Sequence, residues 1–321
     1  MKSEIKKTPY NEPFIWQRAD PYVCHSGDDS YYFTASVPEY DRIILRRAET
    51  VEGLKTAAER VVWVCHDSGP QSANIWAPEL HEIGGIWYMY YAAGDIDDLF
   101  AIRPYVLACD GDPISGVWRD LGPMLPARDD PFSFRAFSLD ATVFCDRGEY
   151  YYVWAEKVGV GKQISNLYIA RMAAANRLAT VQVMLSTPDY GWERVDFWVN
   201  EGPAVLWHGG RIFVTFSASA TGACYCMGLL WANEGSDLLD PTSWHKLSRP
   251  VLASDDEKGI YGPGHNSFVC SEDNDHDLCF FHARQYPQIA GNPLYDPNRH
   301  TMYLTVRYDD EGFPVFAYEK H

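Results

Sequence analysis

The sequence is best understood outward from one stretch in its second half, Trp198-Val199-Asn200-Glu201-Gly202-Pro203-Ala204-Val205-Leu206. Pro203 has no backbone donor and its ring blocks a helix, so Glu201 is predicted to stand at the beginning of a strand. A carboxyl group held against Trp198 and Pro203 is poorly solvated. Desolvation raises a carboxyl pKa toward the range that suits a proton donor near neutral pH. The alternative is a solvated acid on a loop beside a strand.

The composition is that of a globular protein with a large core. Hydrophobic residues make up 46% of the 321 residues, which allows one large domain or two ordinary ones. Aromatic residues make up 15%, a usage that favours strands and platforms for flat faces such as sugar rings. The formal net charge of -17 repels phosphate backbones and anionic membrane surfaces. We therefore expect neither nucleic acid nor a membrane as a partner.

The cysteines and the first residues bear on the cellular compartment. Eight cysteines are present, most of them single residues inside apolar runs, which is typical of small buried hydrophobes kept reduced. The close pair Cys224 and Cys226 has the wrong spacing for a zinc knuckle and no second pair beside it. Residues 1–7 lead into no apolar core of a secretion signal, and no run of about 18 apolar residues exists. These features predict a cytoplasmic location.

Short aromatic and alternating runs, separated by Gly, Asp, Asn and Pro, fill the chain and predict an all-β fold. An opening like the one at Glu201 recurs about every 60 residues, each time before a group of about four short strands. The polar residues of these openings are Asp20, Glu79, Asp140, Glu201 and His265. Five such units predict a single five-bladed β-propeller over residues 1–321, with about four antiparallel strands per blade. A β-sandwich is the alternative, and it gives no reason for the repeat.

The repeat would bring these five polar residues together. In a propeller the first strand of each blade lines the axis, so equivalent residues form a ring at one end of it. Crowded carboxylates cost free energy, and a purely structural fold has no use for four of them on its axis. Acids that converge at a mouth rimmed by aromatic residues indicate glycoside hydrolysis. A cation site is the competing explanation, because carboxylate oxygens also suit calcium.

Six segments, in order over nearly the whole chain, resemble motifs of glycoside hydrolase family 43. They are Ala19-Asp20-Pro21-Tyr22-Val23, Ile75-Trp76-Ala77-Pro78-Glu79, Leu139-Asp140-Ala141, Asn200-Glu201-Gly202-Pro203, Gly262-Pro263-Gly264-His265-Asn266 and His282-Ala283-Arg284. The resemblance implies a five-bladed propeller and an enzyme that inverts the configuration at the anomeric carbon.

The resemblance implies a role for each of three acids. Asp20 would be the general base, Glu201 the general acid, and Asp140 the residue that tunes and orients the acid. Inversion needs a water molecule between base and sugar, so the two catalytic carboxyl groups are expected about 6.5–9.5 Å apart. A third acid near Glu201 keeps negative charge close to it and raises its pKa. Glu79 is the exception, because the acid of its motif is usually structural in the family.

The resemblance also implies binding residues. Arg284 would contact the sugar in the deepest subsite, and Trp76 and Phe33 would help to wall that subsite. His265 would lie near the axis, where the family's histidine often ligates a structural calcium ion or an ordered water. The chemistry itself would require no cofactor.

Loops at the mouth bear on the type of reaction. The aromatic loop of residues 129–137 would close a groove into a pocket, which favours exo-action. Arg103 and Arg135 lie on loops beside the ring and are candidates to bind a second sugar. The segment Asn298-Arg299-His300 is interpreted as a hydrogen-bonded loop that can reach the cleft. His282 is interpreted as a core histidine with satisfied hydrogen bonds.

Residues 31–41 and 262–266 look most like the exo-acting α-L-arabinofuranosidase branch of the family. We therefore expect release of terminal α-L-arabinofuranose from small arabinose-containing oligosaccharides or arabinan side chains. A β-xylosidase, an endo-arabinanase and a non-catalytic carbohydrate-binding propeller are the alternatives. The sequence gives no prediction of the oligomeric state.

Overall fold

A computed structural model describes residues 10–27, 29–158 and 164–318. Within these ranges the regular structure is almost all strand, with one short α-helix, α1 (Val51–Leu54). Three single 3-10 turns complete it: Gly191–Glu193, Pro241–Ser243 and Pro293–Tyr295. The all-β prediction is confirmed. No helix in the described ranges is long and apolar enough to cross a membrane.

The first half of the chain forms two four-stranded antiparallel sheets, each with its strands in chain order. The first sheet contains β1 (Ala19–His25), β2 (Tyr31–Ser36), β3 (Arg42–Ala48) and β4 (Arg60–Val64). The second sheet contains β5 (Pro70–Ile83), β6 (Ile86–Asp95), β7 (Asp98–Asp110) and β8 (Trp118–Pro123). These sheets correspond to the first two units of the sequence repeat.

The middle of the chain forms one larger sheet of nine strands. They are β9 (Ser138–Asp146), β10 (Glu149–Val158), β11 (Ile164–Ala174), β12 (Arg177–Leu178), β13 (Val183–Ser186), β14 (Trp198–His208), β15 (Arg211–Ala218), β16 (Cys226–Asn233) and β17 (His245–Lys246). The third and fourth units of the repeat join here, because the first residues of β11 and β14 pair in parallel.

The last strands form a three-stranded and a two-stranded sheet. They are β18 (Tyr261–Cys270), β19 (Asp277–Arg284) and β20 (His300–Thr305), followed by β21 (Arg307–Tyr308) and β22 (Pro314–Val315). The sheets therefore do not divide the described chain into five separate four-stranded modules. The first strands of the five predicted units contact one another: β1 contacts β5 and β18, β9 contacts β5 and β14, and β14 contacts β18.

A backbone kink recurs in each of these five strands. One residue with positive φ lies at the corresponding place in each strand: Asp20 (52°), Ala77 (47°), Asp140 (50°), Gly202 (55°) and His265 (48°). Strand β5 has two further residues with positive φ, Gln71 and Asn74, and β18 has one, Gly262. The pairing register of each strand shifts at the same place, which is the behaviour of a β-bulge that re-aims a side chain. By backbone conformation the second and fourth members of the repeat are Ala77 and Gly202. The sequence analysis aligned the second and fourth units on Glu79 and Glu201. In the structure the kinked residue lies two residues before Glu79 and one residue after Glu201.

Apolar side chains pack in five clusters between and within the sheets. Strand β2 is buried on both faces, so its side chains alternate between two of these clusters. Tyr31, Phe33 and Ala35 pack in one cluster with Phe280 of β19, whereas Tyr32 packs in another. This alternation decides where Phe33 points, which matters for the site below.

Candidate active site

One cavity of about 480 Å³ is lined by residues from all five of the kinked strands. Five of the residues that the sequence predicts for the site lie together in its wall: Asp20, Trp76, Asp140, Glu201 and His265. The kinks explain the convergence, because a bulge turns one side chain of a strand away from the sheet and toward the cavity.

Asp20 is a buried carboxylate surrounded by hydrogen-bond donors and cations. Its Oδ2 accepts a hydrogen bond from Ser36 Oγ at 2.6 Å, and its Oδ1 accepts one from Arg299 Nη1 at 3.3 Å. Nδ1 of His282 and of His265 lie 3.1 and 3.4 Å from the same Oδ1. Burial alone would raise the pKa of Asp20, but Arg299, with His265 and His282, holds that pKa well below its usual range. Asp20 is therefore ionised and suited to accept a proton.

Glu201 lies in a much less polar setting. Its Oε1 accepts one hydrogen bond, from Tyr225 Oη at 2.9 Å. Burial raises the pKa of Glu201 to about 7; the Tyr225 hydrogen bond and the Lys157 charge lower it, while the Asp20 charge raises it. Near neutral pH this carboxyl group is available as a proton donor.

Asp140 stands beside both of the other acids. Burial raises its pKa well above the usual range, and the charges of Glu201 and Asp20 raise it further, while a hydrogen bond from the backbone of Gly202 opposes this. Its Oδ2 lies 3.6 Å from His265 Nδ1. Asp140 therefore holds its proton more tightly than an ordinary aspartic acid.

Tyr225 is held rigidly against Glu201, and the sequence analysis missed it. Its ring stacks on His282 with 5.5 Å between centroids and 6° between planes. Gly264 makes room for it, since a Cβ there would lie 2.4 Å from the Tyr225 ring. A tyrosine 24 residues after Glu201, directly before β16, carries no local signal in the sequence. Only the packing of β16 against β18 reveals it.

His265 is confirmed as a lining residue, and its surroundings bear on the expected calcium ion. Its ring nitrogen faces Asp20 and Asp140, and its backbone N–H donates to Ser217 Oγ at 2.7 Å. Calcium takes six to eight oxygen ligands. In the described part of the chain, no group of three or more His, Cys, Asp and Glu side chains is placed to hold a metal. The side chains here do not fit a calcium ion held by the protein alone, so a calcium at His265 stays a prediction.

Trp76 forms the aromatic wall of the deep end. Its indole is 6% exposed and packs edge-on against Tyr40, with 5.7 Å between centroids. Its Nε1 is buried and finds no hydrogen-bond acceptor among the described residues. A bound hydroxyl group would satisfy this donor, which agrees with the predicted position of Trp76 beside a sugar.

Two residues expected to touch the sugar do not line the cavity. Phe33 is fully buried in the cluster of Tyr31 and Ala35, because the period-two alternation of β2 turns it into the core. Arg284 is 1% exposed and donates to the backbone oxygens of Thr221 (2.8 Å) and Pro293 (2.7 Å). Both expectations are corrected: Phe33 belongs to the core, and Arg284 braces two loops behind the cavity wall.

Arg299 occupies the position that the sequence analysis gave to Arg284. It lines the cavity, contacts Asp20 and donates through Nη2 to Tyr40 Oη at 2.8 Å. The segment around it was noted as a loop within reach of the cleft. The available signal was an arginine next to Asn298 in that loop. Nothing in the sequence favours Arg299 over Arg284 as the arginine that lines the cavity.

Glu79 is structural, as the resemblance implied. It is 6% exposed and does not line the cavity, and its Oε2 is hydrogen-bonded to His81 Nε2 at 2.8 Å. His81 Nδ1 lies 3.3 Å from Tyr22 Oη, so the acid closes a small polar network between the first two sheets. The kink of β5 occurs two residues earlier, at Ala77, and this displacement carries Glu79 out of the site.

The aromatic loop of residues 129–137 is anchored by a buried acid on β10. Glu156 accepts backbone hydrogen bonds from Phe134 (2.9 Å), Arg135 (2.8 Å) and Ala136 (3.0 Å). It also accepts one from Trp154 Nε1 at 3.0 Å. These bonds hold the end of the loop at the cavity, where Phe137 lines the wall.

A second buried network fixes the strand that carries Glu201. Glu193 is fully buried, pairs with Lys246, and accepts from Asn200 Nδ2 at 2.9 Å. Asn200 also accepts from Ser186 Oγ at 2.6 Å. Because Asn200 directly precedes Glu201, this network sets where the acid emerges from β14.

Comparison with known proteins identifies the family of this chain. The model of Glycosyl hydrolases family 43 matches residues 10–314. A protein of Streptomyces avermitilis named extracellular exo-alpha-(1->5)-L-arabinofuranosidase is 46% identical over 96% of this chain and 63% of its own length. A protein of the same name from Streptomyces chartreusis is 46% identical over 90% of this chain and 86% of its own. The chain thus spans less than two thirds of the first relative.

Solved structures extend the comparison to the fold. The crystal structure of alpha-L-arabinofuranosidase from Lactobacillus brevis superposes with a TM-score of 0.90 at 48% identity, covering 96% of each chain. A thermostable family-43 glycoside hydrolase superposes with a TM-score of 0.75 at 24% identity, which shows likeness of fold alone.

The expected cytoplasmic location is wrong by these comparisons, since both Streptomyces relatives are named extracellular. The eight cysteines misled, because all are free and several are simply buried. A domain of this size buries enough apolar surface to need no disulfide in any compartment. Cysteine usage therefore carried no information about location.

The family match over residues 10–314, with two relatives at 46% identity, establishes that the chain belongs to family 43 of the glycosyl hydrolases.

Proposed function

We propose that this protein is an inverting, exo-acting α-L-arabinofuranosidase that releases terminal α-L-arabinofuranose from arabino-oligosaccharides or arabinan side chains. The observation that carries the proposal is the contrast between two acids of one cavity, Asp20 beside a guanidinium and Glu201 beside a neutral phenol, whose pKa values shift in opposite directions. The pKa of Asp20 is held well below its usual range, whereas the pKa of Glu201 is raised to about 7. The names of the relatives from Streptomyces support the sugar, the exo-action and the 1→5 linkage.

Each step of inversion has a residue suited to it. Asp20 takes a proton from a water molecule while that water attacks the anomeric carbon. At the same time the bond to the leaving oxygen breaks, and Glu201 gives its proton to that oxygen. Asp20 gains one proton and Glu201 loses one, so the net charge of the cavity is unchanged. Proton exchange with solvent then restores the starting protonation of both acids. The chemistry uses only side chains of this chain.

Other residues of the cavity support these two. Asp140 shares the cavity with Glu201, whose charge helps to raise the pKa of Asp140, and its role is to tune and orient the acid. Arg299 keeps Asp20 ionised, and Tyr225 fixes the orientation of Glu201. Trp76 provides the wall for the terminal sugar, with its unpaired Nε1 as a donor to a hydroxyl group.

We also infer that the five first strands close into a five-bladed propeller formed by a single domain. Each carries the same kink, and their contacts run from β1 through β5, β9, β14 and β18 back to β1. The parallel pairing between β11 and β14 then links two neighbouring blades rather than defining a larger sheet. Small-angle X-ray scattering would test this inference, by comparing the curve of the protein in solution with the curve calculated for a single closed five-bladed propeller.

The decisive experiment follows the reaction by NMR with α-1,5-linked arabinotriose. We expect arabinose and arabinobiose as first products, with the β-anomer of arabinose appearing before mutarotation. Release of the α-anomer would overturn inversion, and arabinobiose released from a longer chain without arabinose would overturn exo-action. Faster turnover of an aryl β-xyloside than of an aryl α-L-arabinofuranoside would replace the sugar assignment.

A further inference from the structure

Three aromatic rings lead from the deep end of the cavity to its mouth. The centroid of Trp76 lies 6.5 Å from that of Phe137, which lies 6.4 Å from that of Phe100. Exposure increases along this aromatic series: Trp76 is 6% exposed, Phe137 is half-buried, and Phe100 is 53% exposed. The series therefore connects the proposed position of the terminal sugar with open solvent.

The outer end of the series is unusually apolar for a surface. Phe100 on β7 and Phe197, before β14, both line the cavity, and Phe197 is 63% exposed. Two phenylalanine rings that face one opening from distant parts of the chain leave apolar surface in water. Exposed apolar side chains at the mouth of a cavity mark a place where a ligand can cover them.

A polar donor stands beside these rings. Lys157 lines the cavity, and its Nζ lies 4.0 Å from the centroid of Phe137. Among the described residues no hydrogen-bond acceptor is found for this ammonium group, whose contacts are with the ring and, more distantly, the charge of Glu201. Sugars present apolar faces edged by hydroxyl groups, so a flat ring flanked by one donor is complementary to them.

We propose that Phe100, Phe137 and Lys157 form the binding site for the leaving-group sugar, the residue to which the terminal arabinofuranose is linked. The apolar face of this sugar covers the exposed ring of Phe100, and one of its hydroxyl groups accepts a hydrogen bond from Lys157, whose ammonium group lies over the ring of Phe137. This inference rests on the proposed function and adds to it the recognition of a neutral second sugar. Phe137 bridges the two subsites, because it contacts Trp76 on one side and Phe100 on the other.

The test compares two substrates that share the terminal sugar. Methyl α-L-arabinofuranoside has a leaving group too small to cover the rings, whereas α-1,5-arabinotriose covers them. The quantity measured is the ratio of kcat/KM for arabinotriose to kcat/KM for the methyl glycoside. We expect Phe100→Ala to lower this ratio about tenfold through lost apolar contact. Phe100 is 53% exposed near the beginning of β7, so we expect the substitution to leave the fold intact.

Phe132→Ala is the matched control, because Phe132 is 61% exposed on the neighbouring loop and does not line the cavity. We expect it to leave the ratio unchanged. Lys157→Met, measured on the pH plateau to exclude effects through Glu201, should lower the ratio about fivefold. Equal loss on both substrates, an unchanged ratio in Phe100→Ala, or the same fall in Phe132→Ala would each overturn the leaving-group site. A wild-type protein that hydrolyses neither substrate would instead overturn the proposed function.

Discussion

Asp20 and Glu201 line the same cavity, but Asp20 is buried, Glu201 is half-buried, and their surroundings differ. Asp20 contacts the Arg299 guanidinium, the Ser36 hydroxyl group and two imidazoles. Glu201 accepts a single hydrogen bond from a neutral phenol. Burial alone would raise both pKa values, so the partners decide the outcome. The charged and hydrogen-bonding partners of each carboxyl group, rather than the extent of its burial, therefore decide which of the two acids has the lower pKa and acts as the base.

The largest expected effect comes from removing the base. Asp20→Asn keeps the shape of the side chain but cannot take the proton of the attacking water. We expect kcat on arabinotriose to fall by about 10⁴-fold. Thermal unfolding of the variant checks that the fold is retained. Activity within tenfold of the wild type would exclude Asp20 as the base.

Removing the acid should give an effect that depends on the leaving group. Glu201→Gln can no longer protonate the departing oxygen, so we expect kcat on arabinotriose to fall by about 10² to 10⁴-fold. An aryl arabinofuranoside whose phenol leaves without protonation should lose far less. The measurement is kcat on both substrates in parallel. Equal losses on the two would assign the proton donor to another group.

Removing the cation should make the two acids more alike. In Arg299→Met the pKa of Asp20 should rise, because its largest favourable charge is gone. The acidic limb of the kcat/KM profile should then move to higher pH, with kcat/KM on the plateau reduced about tenfold or more. Arg299→Lys is the control, since it keeps the positive charge and should keep the limb near its original position. A limb that does not move in Arg299→Met would show that another group governs it.

Removing the hydrogen bond to Glu201 should have a smaller effect on activity than the three substitutions above. Tyr225→Phe deletes a hydrogen bond that lowers the pKa of Glu201, so this pKa should rise from about 7. Glu201 then stays protonated to higher pH, and the basic limb of the kcat/KM profile should move upward. The plateau value should fall about fivefold as the acid loses its orientation. Movement of this limb to lower pH would contradict the assignment.

Much of the fold could be predicted because strands carry a local signal. Alternating and aromatic runs between turn residues marked the strands of the first two sheets, and the repeat grouped them correctly. The joining of β11 to β14 was not predictable, since it depends on two residue pairs between segments more than 30 residues apart. The recurring kink was also invisible, because positive φ at Asp20, Ala77 and His265 follows from the sheet and not from the residue type.

The sequence analysis placed a site residue correctly where the motif residue itself faces the cavity. It was wrong where strand alternation or the direction of a long side chain decides which residue reaches the cavity. Asp20, Asp140 and Glu201 come together because they sit at or beside a kink. Phe33 was misplaced by a single step of the alternation, since period two decides between core and cavity. Arg299 replaced Arg284 because the direction of a long side chain is set by its partners, and these are contributed by distant loops.

The recurring left-handed residue has a consequence for how this protein can be improved. A non-glycine residue with positive φ costs roughly 1–2 kcal/mol, and Asp20, Asp140 and His265 all have it. Glycine would relieve that backbone cost at each position but would remove the side chain that lines the cavity, and at Asp20 it would also leave the buried Arg299 without its carboxylate partner. A laboratory evolution campaign on this scaffold therefore has to select for turnover in every round.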